Sequence, residues 1–355
     1  MFKVKNLIIN HFDELLDNTF ESARKTKSLS VEEFASFLET DKGQETFNVL
    51  DNVVSDVFIK SLTEKSYRKI RKQQRKIEDH VVDVNLDLFR YYQAFADTTQ
   101  RIYIAILESL RNETGKVDLE KRDYINLLFY GTLCRTAEEV GLLLRNGYSN
   151  AALITWRSFH EHAVIATFLM EKDAPELYQR FIDADVNERR KQLESYVKRH
   201  VDLNFPPLDE TLIKETKEEF ECIKNQYEKE FFNNGYNWAV GYLNEKANFN
   251  AIEAAIDFGR FRPYYILASS RVHPSYRGIV DLPADGMVNL RALIEPSDQL
   301  EDLVDPAQLI LAEFLEVNDR FLHIYSADHE YETNTMILQK IYDKFRDAAS
   351  ENEEE

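Results

Sequence analysis

The chain has 355 residues, only 10 Gly, 8 Pro and 2 Cys among them, and a formal net charge of −19. Gly and Pro make up about 5% of it against roughly 12% in average proteins, which argues against sandwiches, barrels and propellers, with a turn every ~8–12 residues. A hydrophobic fraction of 44% excludes global disorder, and the acidity argues against a protein coated in nucleic acid.

The predicted elements are helices, because apolar residues recur at three- and four-residue spacing almost throughout. In chain order they cover 3–27, 31–40, 44–76, 84–113, 118–146, 149–171, 174–201, 209–233, 250–272, 306–326 and 330–348. Ser30 and Glu33 form a capping box ahead of the second. Gly147, after Arg145, is a C-terminal stop. Asp305-Pro306 reads as an N-cap followed by a proline at the first helical position. Residues 202–208 and the acid- and proline-containing 281–305 read as loops. Asn146-Gly147-Tyr148 is echoed by Asn234-Gly235-Tyr236, which reads as reuse of one helix-ending cap.

The charge is uneven. Residues Asp281–Glu355 hold 19 acids and 5 bases, so the first 280 residues carry only −5 of the total. The Met1–Leu16 stretch is too interrupted by polar residues for a signal peptide. The longest apolar run, Ala163–Met170, is far short of the ~20 residues that span a bilayer. A cytoplasmic protein without membrane attachment is expected. Cys134 and Cys222 form neither a disulfide framework nor a zinc pattern and read as small buried hydrophobes. No nucleotide-binding glycine loop and no metal-ligand spacing is present, so neither cofactor nor metal is expected.

Three stretches could carry chemistry. In the first, Arg157 and Glu161 are four residues apart and share a helical face with Ile154 and Val164, with His160 beside them. Two charges flanked by core residues are expected to pair, as a clasp between helices or as a polar site inside a bundle. Arg157 and His162 also form an R-x-x-x-x-H string, although an unbroken helix places the two about 140° apart. The second stretch, Phe258–Arg277, holds four Arg, His273 and a run of aromatic residues with no acid. His273 precedes a proline, so it is placed at a helix C-terminus, where the dipole favours its charged form. It could act as an acid–base group or bind phosphate; alternatively the stretch is neutralised by the acids that follow. The third, Lys65–Lys76, has seven basic residues in twelve. It reads as a helix charged on nearly every side, either merely solvated or touching RNA, DNA or an acidic partner.

The R-x-x-x-x-H string resembles that of the HEPN superfamily, helical metal-independent ribonucleases that act as toxins and defence effectors. Leu142 to Glu161, with Arg145, Gly147, Tyr148 and Arg157-Ser158-Phe159-His160-Glu161, resembles a widespread bacterial family catalogued as domain of unknown function five-six-seven-seven. Its later S-x-x-V-H-x-S motif is matched by Ser269, Val272, His273 and Ser275, and the resemblance covers roughly residues 85–280. It implies that Arg157, Glu161, Ser269 and His273 converge in one pocket, in a helical layout similar to HEPN proteins and a setting of antiphage defence.

These readings combine into an all-α multi-helix bundle. It has an N-terminal region with the basic stretch (1–83), a HEPN-like core domain (84–280), and an acidic loop with C-terminal helices (281–355). Two functions are expected. One is a metal-independent endoribonuclease with Arg157, Glu161, His162 and His273 as catalytic candidates. Arg145, Tyr148, His160, Ser269, Arg271, Ser275 and Arg277 would bind its RNA or another phosphate-containing ligand. The other is a non-enzymatic sensor with a buried Arg–Glu–His pocket. A protein partner and a homodimer are also expected.

Overall fold

The structure, a computed structural model, describes residues 17–18, 21–110, 119–273 and 296–350. It is all-α, with no strand among the described residues. Ser275, Arg277 and most of the first predicted helix lie outside them. The residues fall into two compact units, the first ending at Val81 and the second beginning at Val82.

In the first unit α1 (Val31–Leu38) starts from the capping box: Ser30 Oγ accepts from the Glu33 amide at 3.1 Å and Glu33 accepts from the Ser30 amide at 2.8 Å. It packs on α2 (Asp41–Ser61). The helix expected over 44–76 is two helices, because Thr63 caps a new start, its hydroxyl accepting from the Ser66 amide at 3.2 Å. The second of them is α3 (Glu64–Val84), which carries all seven basic residues of 65–76. It is not charged all round. At 100° per residue the seven fall within an arc of about 160°, and Ile70, Ile77 and Val81 fall within about 40° on the opposite side.

The second unit starts with α4 (Leu86–Ser109) and an antiparallel pair, α5 (Lys121–Arg145) and α6 (Ser149–Lys172). The turn between the pair is a Schellman motif. Tyr148 N–H reaches Leu143 O and Gly147 N–H reaches Leu144 O, both at 2.9 Å, and Gly147 has φ 75°. Gly131 and Gly141 let α4 approach α5 closely. A β-carbon there would lie 2.9 Å from the Tyr103 hydroxyl and 2.8 Å from Tyr92 Cε1. Next come α7 (Pro175–Arg199) and α8 (Glu210–Lys224), packed together, then α9 (Phe249–Ala255) and α10 (Arg262–Val272). The single helix expected over 250–272 is broken at Asp257, which has φ 60°, and a 3₁₀ turn at Gly259–Phe261 leads into Pro263 near the start of α10.

The C-terminal pair, α11 (Leu300–Tyr325) and α12 (Asp328–Ser350), completes the core of this unit. α11 lies against α4, α5, α6 and α12. It begins six residues before Pro306, so Asp305 is not its N-cap. Buried Leu303 continues the apolar face of Ala307, Ile310 and Phe314 by one turn, and the Asp305 carboxylate instead accepts from the Tyr264 hydroxyl at 3.4 Å. The core is aromatic: Tyr130 stacks on Phe321 at 3.9 Å, and Phe314 lies 5.4 Å from both Tyr130 and Phe159. The buried Tyr130 hydroxyl donates to Asn318 Oδ1.

Cys134 is buried in α5, and burial pushes its thiol up to about 12. Cys222 is exposed, against expectation, because it lies two residues and about 200° from the buried Phe220 of α8. In the native protein a thiol reagent is therefore expected to label one cysteine quickly, and both only after denaturation. Rapid double labelling of native protein would contradict this packing.

Candidate functional site

The middle of α6 carries a buried charge cluster that the sequence reading placed only in outline. His160 is fully buried. Its Nδ1 lies 2.8 Å from Glu313 Oε1 of α11, and its Nε2 lies 2.8 Å from Glu253 Oε1 of α9. Both carboxylates are buried as well. Glu253 pairs on its other oxygen with Arg262 of α10, and Glu313 Oε2 has no hydrogen-bond partner among the described residues. A neutral imidazole has one donor nitrogen, whereas this ring faces a carboxylate at each nitrogen, so the geometry calls for the imidazolium. Burial alone would lower the imidazole pKa; the Glu313 charge and hydrogen bonds to both carboxylates outweigh it and raise it to about 9. Burial also raises the pKa of Glu313, against the pull of His160. Trp156, Phe249, Phe261 and Tyr265 surround the ring, their centroids 5.3, 5.7, 6.1 and 5.4 Å away.

Toward solvent from this cluster lies the expected Arg157–Glu161 pair. Arg157 Nη2 is 3.0 Å from Glu161 Oε1, and the two side chains are 22% and 36% exposed. The pair is therefore only partly covered; the fully buried charges are those of His160 and its partners. Tyr265 of α10 donates to Glu161 Oε1 at 2.8 Å and accepts from Arg157 Nη2 at 3.4 Å. The guanidiniums of Arg157 and Arg262 each lie 5.2 Å from the Tyr265 ring. Tyr236 borders the same group through Phe249, at 5.9 Å, and its hydroxyl is pushed up to about 12 by burial and by the charge of Glu161. Arg157 Nε is buried and has no partner among the described residues. Counting His160 as charged, three cations (Arg157, His160, Arg262) face three anions (Glu161, Glu253, Glu313).

The other candidates lie apart. His162 points away from Arg157, toward α5, with its ring 6.1 Å from Phe129, as the 140° separation in an unbroken helix requires. Arg145 donates to Gln93 of α4 at 2.9 Å, and Tyr148 is exposed at the start of α6. His273 is exposed and ends α10, its amide bonded to Ser269 O, eight residues and about 12 Å along the helix from Tyr265. Ser269 donates to Tyr265 O within its own helix, and Arg271 lies in the last turn. Of the basic 258–277 stretch, Arg260 is neutralised by Glu316 at 2.6 Å, an acid of the C-terminal segment, and Arg262 by Glu253.

Glu253, Glu313, Arg262, Tyr236 and Tyr265 were not singled out from sequence. A signal existed for two of them: Glu253 and Glu313 are lone acids inside apolar runs, Ala251-Ile252-Glu253-Ala254-Ala255 and Leu309-Ile310-Leu311-Ala312-Glu313-Phe314. A charge on an apolar helical face needs a buried partner. Among the described residues no cluster of His, Cys, Asp and Glu has the make-up of a metal site, and no helix is long and apolar enough to cross a membrane.

No curated protein and no solved structure matches the chain. The family match covers residues 123–296, from within α5, leaving out α4, which the motif resemblance had included. Those residues match the model described as a family of unknown function (DUF5677), so the part of the chain that holds Arg157, His160, Glu161, Glu253, Tyr265 and His273 belongs to that family.

Proposed function

We propose that this chain is a cytoplasmic sensor that binds a small polar ligand over Arg157, Glu161, Tyr236 and Tyr265. The ligand presents an acceptor oxygen, such as that of a phosphate or carboxylate, to Arg157. The observation that supports this most is the state of that arginine: it is partly exposed, held in place by Glu161 and the Tyr265 ring, and left with a buried Nε from which no group among the described residues accepts. A buried donor without a partner costs about 1–3 kcal/mol, which a ligand oxygen would recover. The His160 cluster behind it joins α6, α9 and α10 and so holds the surface in register. In the antiphage setting that the family resemblance implies, the ligand is a signal raised by infection.

The ribonuclease alternative needs a histidine with a free ring nitrogen beside Arg157. His160 has both nitrogens engaged, and His162 and His273 lie elsewhere, so the geometry favours binding over cleavage.

Two measurements test the proposal. Thermal melting against nucleotides, sugar phosphates and carboxylic acids is expected to find a compound that stabilises the chain, by about 2.7 kcal/mol at a hundredfold excess over Kd, with Arg157→Ala removing the effect. End-labelled RNA incubated with the protein in EDTA is expected to stay intact. RNA cleavage that Arg157→Ala abolishes would replace the sensor reading with the ribonuclease.

A further inference from the structure

The basic face of α3 has a chemistry that the site on α6 does not use. All seven basic residues are exposed. Arg68 pairs with Glu64, while Lys65, Lys69, Arg71, Lys72, Arg75 and Lys76 make no ion pair among the described residues. The acids that share the arc, Glu64 before the bases and Asp79 and Asp83 after them, flank the bases along the helix axis. Between them, Lys65 to Lys76 form an uninterrupted cationic stripe about 16 Å long at 1.5 Å per residue. Six charges on one helical face, unpaired among the described residues, repel one another, and an anion lying across them relieves that repulsion.

The make-up of the face narrows the anion. Protein interfaces have an apolar core and are depleted in lysine. Between Lys65 and Lys76 this arc contains no apolar residue, and four of its seven bases are lysines. A helix lying on a membrane inserts apolar side chains beside its cations. Here Ile70, Ile77 and Val81 occupy the opposite side, the two isoleucines half-buried and Val81 buried. A nucleic-acid backbone makes neither demand: it offers regularly spaced charge, and its interfaces are polar and strongly basic. An α-helix also fits the major groove of a duplex, where a 160° arc reaches phosphates on both walls.

We propose that the basic face of α3 binds the phosphodiester backbone of a nucleic acid without reading its sequence. The binding is local and sensitive to salt, since the rest of an acidic chain opposes it. This site is separate from the ligand surface over Arg157, and either proposal can fail without the other.

The test uses the full chain and fluorescence anisotropy with labelled duplex DNA, duplex RNA and single-stranded RNA of about 20 nucleotides, at about 50 and about 200 mM KCl. Binding is expected at the lower salt and at least tenfold weaker at the higher; the three probes show whether a duplex or a single strand is preferred. The triple variant Lys69→Glu, Lys72→Glu, Lys76→Glu changes only exposed side chains. It is expected to keep its helical circular dichroism and lose at least tenfold in affinity, with a salt slope shallower by about 2–3. Should that variant misfold, the corresponding Lys→Gln triple is expected to show a smaller loss with the same change of slope. The proposal is overturned by absence of binding at the lower salt or by equal binding of the folded variant. Equal competition by poly-glutamate, or binding to phosphatidylserine vesicles in place of nucleic acid, also overturns it.

Discussion

His160→Ala is expected to destabilise the second unit by about 3–5 kcal/mol, the cost of breaking a buried ion pair and leaving charge behind. The substitution leaves Glu253 and Glu313 without their shared donor, in a place that water does not reach. It also removes a ring packed among Trp156, Phe249, Phe261 and Tyr265. Because His160 ties α6 to α9 and α11, elements far apart in sequence, the loss reaches the ligand surface too. Urea unfolding followed by circular dichroism measures it. A cost below about 1 kcal/mol would mean that the carboxylates find other donors and that the cluster is not a clamp.

The same cluster gives the protein a definite dependence on pH. A histidine whose folded-state pKa is raised from its ordinary 6.5 to about 9 stabilises the fold fully below the lower value. That contribution is lost as pH rises through the higher one, and a difference of this size corresponds to about 3 kcal/mol. The urea midpoint is thus expected to fall as pH rises from about 6.5 to above 9, and His160→Ala should flatten that slope. A midpoint constant over this range would show that the ring is not held as imidazolium.

Local signals were legible and long-range ones were not. The Ser30 capping box, the Gly147 stop and the Arg157–Glu161 pair involve residues no more than five apart, and helical geometry alone determines what they can do. The partners of His160 lie 93 and 153 residues away, so no periodicity within one helix could name them. The breaks at Thr63 and Asp257 were missed because the apolar spacing runs on through them. The start of α11 was missed for the opposite reason: Asp305-Pro306 is a good local start, but burial of Leu303 outweighs it. The resemblance over Ser269–His273 indicated the right family, while helix geometry keeps His273 two turns from Tyr265, the residue of α10 that meets Arg157 and Glu161.

Gly147→Ala is expected to cost about 2–5 kcal/mol, and the chain carries its own control. Two effects add at this position. A φ of 75° penalises any β-carbon by roughly 1–2 kcal/mol. That β-carbon would also lie 2.5 Å from Ser297 O and 2.7 Å from Pro296 Cβ, an overpacking worth about 1–3 kcal/mol. Ser297 cannot simply retreat, because its amide donates to Gly147 O at 2.9 Å and helps lead the chain into α11. The echo Asn234-Gly235-Tyr236 repeats the three residues in a different setting. Gly235 does not have a positive φ, and a β-carbon there meets nothing within 4 Å among the described residues. Gly235→Ala is therefore expected to stay within about 0.5 kcal/mol of the parent. Thermal melting of the two variants side by side separates tertiary constraint from sequence pattern. Equal losses would mean that the tripeptide itself, rather than the contact of Gly147 with Pro296 and Ser297, determines the need for glycine.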